Sequence, residues 1–134
     1  MNQVIKEWIA KAETDYKTAA VLLKASDTEF YDPVCFHCQQ SAEKFLKAFL
    51  TSIKISFPKN HDLSELLNLA LPYQPDLEFV SEELQFLNRF SVTIRYPGDH
   101  ATKEETNTAV KAIKIARKVL REKLGLSSKP KKRK

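Results

Sequence analysis

The sequence predicts an all-α protein, an antiparallel, up-and-down helical bundle of four long helices and one short helix. Three observations predict it. Apolar residues recur at a 3.6-residue spacing along most of the chain. Only 2 glycines occur in 134 residues, while 43% of residues are hydrophobic. Capping and helix-stopping residues punctuate the periodic stretches at intervals that suit helices joined by short links.

The first helix is expected over residues 3–24, where Ile5, Ile9, Ala12, Tyr16, Ala19 and Leu23 share a stripe that Trp8 and Leu22 widen. Asp15 sits at the spacing of Trp8, Ala12, Ala19 and Leu22 and therefore faces partly inward. An unpaired carboxylate is costly there, so Asp15 needs a partner. Two readings fit: a rim pair with a nearby lysine, or support for an active-site arginine or histidine. After a polar link over 25–31, Asp32 is expected to cap a second helix, with Pro33 at its first position and its end near Lys54. Cys35, Cys38, Ala42, Phe45, Leu46, Phe49 and Ile53 form its apolar face. Phe36, Gln39, Gln40, Glu43 and Lys47 lie on another side, which suits either an interface or a solvated face.

Residues 57–63 read as a turn in which His61 serves local structure. Asp62 caps a short third helix, with Glu65 completing a capping-box-like pair and Leu63, Leu66, Leu67 and Ala70 facing inward. Pro72 and Pro75 end it. The fourth helix is expected over 76–94 with two stripes, Leu77, Val80, Leu84, Leu87 and Ile94 on one and Phe79, Phe86 and Phe90 on the other. Two apolar sides on one helix of a short chain predict a homodimer, one side for the core and one for a second subunit. A polar break, Arg95-Tyr96-Pro97-Gly98-Asp99-His100, follows. Thr102 and Glu105 then form a capping box for the last helix, which Gly125 stops.

The chain therefore divides into one helical domain over 1–125 and a basic tail over 126–134, too polar and charged to fold and expected to be disordered. The formal net charge of +5 belongs to that tail. Without Lys129, Lys131, Lys132, Arg133 and Lys134 the chain is neutral, so its basicity alone does not mark a nucleic-acid-binding domain. The tail itself suits a salt-sensitive contact with RNA or another polyanion, or no specific task. Cys35 and Cys38 have no second Cys or His pair and read as small core residues of a reducing compartment. The N-terminus carries no signal-like apolar run, and no stretch approaches the 18 apolar residues of a membrane span. A cytoplasmic protein without membrane contact is expected. No metal-ligand spacing is present, and no cofactor is expected.

The break is where chemistry is expected. Arg95 is a permanent cation, and His100 exchanges a proton near neutral pH. At helix ends the same residues also serve as structural groups, Arg95 on terminal carbonyls and His100 as an exposed loop residue.

Several stretches, in order and spacing, resemble the HEPN domain family. Trp8 with Asp15, Ala19 and Leu22 resembles its first helix. Phe36-His37-Cys38-Gln39-Gln40-Ser41-Ala42-Glu43-Lys44-Phe45-Leu46-Lys47-Ala48 is similar to its F-x-x-Q-Q-A-A-E-K-x-L-K-A helix. His61-Asp62-Leu63 and Arg95-Tyr96-Pro97 resemble its H-D-L and R-Y-P. The resemblance covers roughly residues 5–122 and implies a dimeric helical bundle. It also implies three functions between which the residues do not choose. One is binding of a nucleotide, or of a minimal nucleotidyltransferase partner, around Arg95–His100, with Arg95, Tyr96, Asp15, Gln40 and Lys44 as nucleotide- or phosphate-binding residues. The second is metal-independent, toxin-like endoribonuclease activity, with Arg95 and His100 as an R-x4-H catalytic pair acting on RNA across a dimer interface. The third is a non-catalytic dimerisation scaffold. Tyr96 follows the arginine, and Thr102 stands two residues after His100 where the nucleotidyltransferase-inhibited toxins carry Tyr.

Overall fold

The computed structural model describes residues 1–25, 27–92 and 96–126. Thr93, Ile94 and Arg95 lie outside the described residues, as does the basic tail from Ser127. The described chain is all-α, with five helices: α1 (Gln3–Lys24), α2 (Tyr31–Ser52), α3 (Leu63–Ala70), α4 (Ser81–Asn88) and α5 (Lys103–Lys123). Short 3-10 turns over Thr28–Phe30 and Pro75–Val80 lead into α2 and α4. No strand occurs among the described residues, and no helix of the structure is long and apolar enough to cross a membrane.

The bundle is built around α2. From Cys38 to Leu50 every residue except Lys44 is buried, with α1 and α5 packed along it and α3 and α4 closing one end. This helix must therefore satisfy its polar side chains inside the protein. Against it, α1 presents Ala12 and Ala19, small enough for close approach, and the Ser41 hydroxyl donates to the Ala12 carbonyl at 2.9 Å. Cys35 and Cys38 are both free and fully buried, as expected of core residues, and burial pushes the Cys38 thiol far above the ordinary cysteine range. On the other flank, Glu13 of α1 accepts from Arg117 at 2.8 and 3.1 Å and from Arg121 at 2.6 Å. That carboxylate ties α1 to α5.

Local signals fix most helix ends. Asn2 caps α1, Thr102 and Glu105 form the expected capping box of α5, and Gly125 takes a positive φ of 78° just past it. At the end of α2 the same left-handed position is filled by Lys54, with a φ of 61°. Three details depart from expectation. Asp32 is not the N-cap of α2, because the 3-10 turn before it delivers helical backbone two residues earlier, with Phe30 at the cap, and places Asp32 in the first turn. Asp62 caps α3 as expected, but the Glu65 carboxylate turns to the Asn60 amide at 3.2 Å. The segment expected as one helix over 76–94 is a 3-10 run followed by α4, which ends at Asn88. Of its second stripe, Phe90 is buried, Phe86 is half-buried and stacks edge-on against Phe90, and only Phe79 stands out at 82% exposure.

Candidate functional site

The three histidines of the chain lie in two polar regions. The first is a seam between α1 and α2. Asp15 is buried and accepts from both His37 Nδ1, at 2.8 Å, and Lys44 Nζ, at 2.5 Å. The expected pairing of Asp15 with a lysine is thus present, and a histidine joins it. About one turn around α2, Glu43 forms a second hub. One carboxylate oxygen takes His61 Nδ1 at 2.8 Å and the Gln40 amide at 3.3 Å, and the other takes Lys47 Nζ at 2.8 Å. Lys47 also lies over the rings of Trp8 and Phe57, at 5.5 and 5.7 Å. Gln40 donates to Gln39 Oε1 at 2.7 Å, and Gln39 donates to the His61 carbonyl at 3.0 Å. His61 does serve local structure: it fastens the turn before α3 to a buried glutamate.

The second region is the break before α5. Pro97 and Gly98 form a tight turn in which the Asp99 N–H donates to the Tyr96 carbonyl at 2.9 Å. Gly98 has a φ of 87°, the left-handed value that the third position of a Pro-Gly turn requires. The far end of the segment is pinned. Asp32 Oδ1, released from capping α2, accepts from the Ala101 N–H at 2.8 Å, and Ala101 is buried. Between these fixed points Tyr96 is 81% exposed and His100 is exposed. Neither side chain has a hydrogen-bond partner among the described residues.

A model of the HEPN domain family matches residues 5–126 of the 134. The chain belongs to the HEPN domain family. No curated protein and no solved structure matches it in the corresponding searches.

The residues expected to serve a site in this HEPN domain fall into separate groups. Asp15 and Lys44 are brought together, and Gln40 joins the Glu43 hub beside them. Tyr96 and His100 lie together at the other end of α2, where Asp32 holds their segment. Asp32 and Lys44 are 12 positions apart on α2, about 18 Å along its axis. Arg95 lies outside the described residues. Sequence reasoning missed Asp32 as the anchor of the break and both histidine–carboxylate contacts of the seam. The F-H-C-Q-Q-S-A-E-K stretch held a signal for the seam, since polar residues within a helix this apolar need internal partners. Among the described residues, no group of three or more His, Cys, Asp or Glu side chains is placed to hold a metal ion.

Proposed function

We propose that this HEPN protein binds a nucleotide through the segment around Arg95–His100. One observation carries the reading: the backbone of the segment is anchored by Asp32 while Tyr96 and His100 are left exposed and without a hydrogen-bond partner among the described residues. An aromatic face held on a fixed turn suits base stacking. Arg95 enters by residue type and place in the sequence, because a guanidinium holds phosphate oxygens through paired hydrogen bonds. Asp15, Gln40 and Lys44 act in this proposal from the seam. The Asp15–Lys44 bond holds α1 to α2, and Gln40 hydrogen-bonds Gln39 and Glu43 within α2. The protein acts as a homodimer, in which exposed Phe79 remains available to a second subunit. A minimal nucleotidyltransferase partner would meet the same Arg95–His100 surface.

Titration of the purified protein with ATP tests this reading. Micromolar to millimolar binding is expected, with Arg95→Ala weakening it by about 1–3 kcal/mol, the scale of a lost charge-assisted hydrogen bond. Equal affinity in wild type and variant contradicts it.

A second reading draws on the exposure of His100. An imidazole with no internal partner is free to move protons, as metal-independent RNA cleavage demands. In that reaction the 2′-oxygen loses its proton and attacks the adjacent phosphorus. The 5′-oxygen leaves and is protonated, and a 2′,3′-cyclic phosphate remains. Arg95 would stabilise the charge on the phosphoryl oxygens. Digestion of a mixed RNA in chelator, with wild type and His100→Ala, separates the readings. Cyclic phosphate ends from the wild type alone establish the nuclease, and cleavage by neither leaves nucleotide binding.

A further inference from the structure

The second half of α1 runs beside the first half of α5, and both helices lie on α2. Glu13, Arg117 and Arg121 tie α1 to α5, and the Arg117 guanidinium lies 4.5 Å over the Tyr16 ring. Beyond that tie, a half-open cleft of about 200 Å³ separates the two helices. Ala19, Cys38 and Ile113 are buried and close its floor, while half-buried Tyr16, Leu23 and Val110 form its walls. Small residues leave the room: Ala19 and Ala20 end at Cβ, and Cys38 ends at its sulfur. Burial holds the Cys38 thiol far above the ordinary cysteine range, so it closes the floor as an apolar group and not as a nucleophile.

The charge around this apolar space has one sign. Lys24 and Lys114, both exposed, stand at its mouth, and no carboxylate lines it. Between Glu105 and Glu122, α5 carries Lys111, Lys114, Arg117, Lys118 and Arg121 and no acidic residue. Between Asp15 and Asp27 the chain carries Lys17 and Lys24 and again no acidic residue. The two acids of α1 that precede the cleft are already engaged, Glu13 by Arg117 and Arg121, and Asp15 by His37 and Lys44. An occupant must therefore match apolar walls and a cationic mouth together. A bare phosphate leaves the walls unused, and a neutral hydrocarbon leaves the lysines unused. An apolar body ending in an anion uses both.

We propose that the α1–α5 cleft binds a small amphiphilic carboxylate, its aliphatic body between Tyr16, Leu23 and Val110 and its carboxylate at Lys114 and Lys24. An apolar cavity of about 150 Å³ takes benzene, so a space somewhat larger takes an aliphatic body of roughly six to eight carbons. The cleft is open on one side and covers such a chain in part, which sets the expected affinity in the millimolar range. This proposal is independent of the nucleotide reading, since none of its residues lies in the Arg95–His100 segment.

Amide and methyl chemical shifts of the full-length protein, titrated with sodium octanoate and separately with octan-1-ol, test it. Octanoate should give saturable changes centred on Ala20, Leu23, Val110 and Lys114. Octan-1-ol, with the same chain and no charge, should bind the same residues about fivefold more weakly, the scale of one exposed ion pair. Changes that do not saturate, that spread over the exposed lysines, or that centre on the Tyr96–His100 segment overturn the proposal. Lys114→Glu alters an exposed position and leaves the core intact, which a matching melting temperature checks. It should weaken octanoate at least about fivefold and leave octan-1-ol unchanged. Equal octanoate affinity in wild type and variant contradicts the carboxylate contact. Ala20→Phe places a ring at the mouth from another exposed position and should weaken both ligands, and unchanged binding of both contradicts the cleft as the site.

Discussion

The α1–α2 seam and the segment from Tyr96 to His100 each include histidine, yet the two regions use their polar groups in opposite ways. In the seam, Asp15 and Glu43 are buried, and each accepts from a histidine and a lysine. In the segment, Asp32 holds the backbone at Ala101, and the Tyr96 and His100 side chains face solvent. Buried polar groups must be satisfied internally, and once satisfied they fix how helices pack. Exposed side chains on a fixed backbone carry no such duty and are free to meet a ligand. In the proposed function, stability falls to the seam and recognition to the segment.

The sharpest way to break that division is Glu43→Ala. It removes the acceptor for His61, Gln40 and the buried Lys47 at once. Leaving a buried ammonium without its carboxylate costs about 3–5 kcal/mol. Urea unfolding should show a loss of that order, and a loss below about 1 kcal/mol would mean the seam does not hold the bundle. Asp32→Ala probes the boundary between the regions. Losing the charge-assisted bond to Ala101 should cost about 1.5–3 kcal/mol. ATP affinity should fall with it, since the segment loses its anchor, and a stability loss without an affinity loss would separate the two roles.

Two smaller effects concern helix ends. The Thr102 backbone N–H holds the Glu105 carboxyl below the usual carboxylate range, with a smaller contribution from Arg89. A carboxyl depressed in the folded state stabilises above its unfolded pKa, and that gain is lost as pH falls through its folded value. Glu105→Gln should therefore flatten the acid limb of the stability–pH curve slightly, and an unchanged limb would discount the cap. Lys54→Gly should stabilise by up to about 1 kcal/mol, because glycine accepts the left-handed backbone that lysine adopts there under strain. A loss of stability would mean that the lysine stem contributes more than its backbone costs.

How far the sequence could be read follows from the range of each interaction. The capping box of α5 and its glycine stop were legible because all their atoms lie within a few residues. The helical class was legible because periodicity is local as well. Asp32 was misread because its partner is 69 residues away, and its neighbour Pro33 carries a strong local capping signal. The Asp15–Lys44 pair, 29 residues apart, was foreseeable as a need for a partner, while His37 as a second donor was not. The fourth helix was overextended for a similar reason. Asn88, at its end, accepts from the Leu63 N–H at 2.8 Å and donates to Asp62 at 3.1 Å, a tertiary use that no pattern around it announces.

The division between seam and segment is tested most directly by calorimetric titration of ATP into wild type, Tyr96→Ala and Lys44→Ala, each with its melting temperature recorded. Tyr96→Ala should weaken binding by about 1–3 kcal/mol, the scale of a lost base–aromatic stack, without changing the melt. Lys44→Ala should lower the melting temperature and leave the affinity of the folded protein unchanged. The reverse pattern, with affinity lost on removing Lys44 and retained without Tyr96, would place the ligand at the seam and contradict the account.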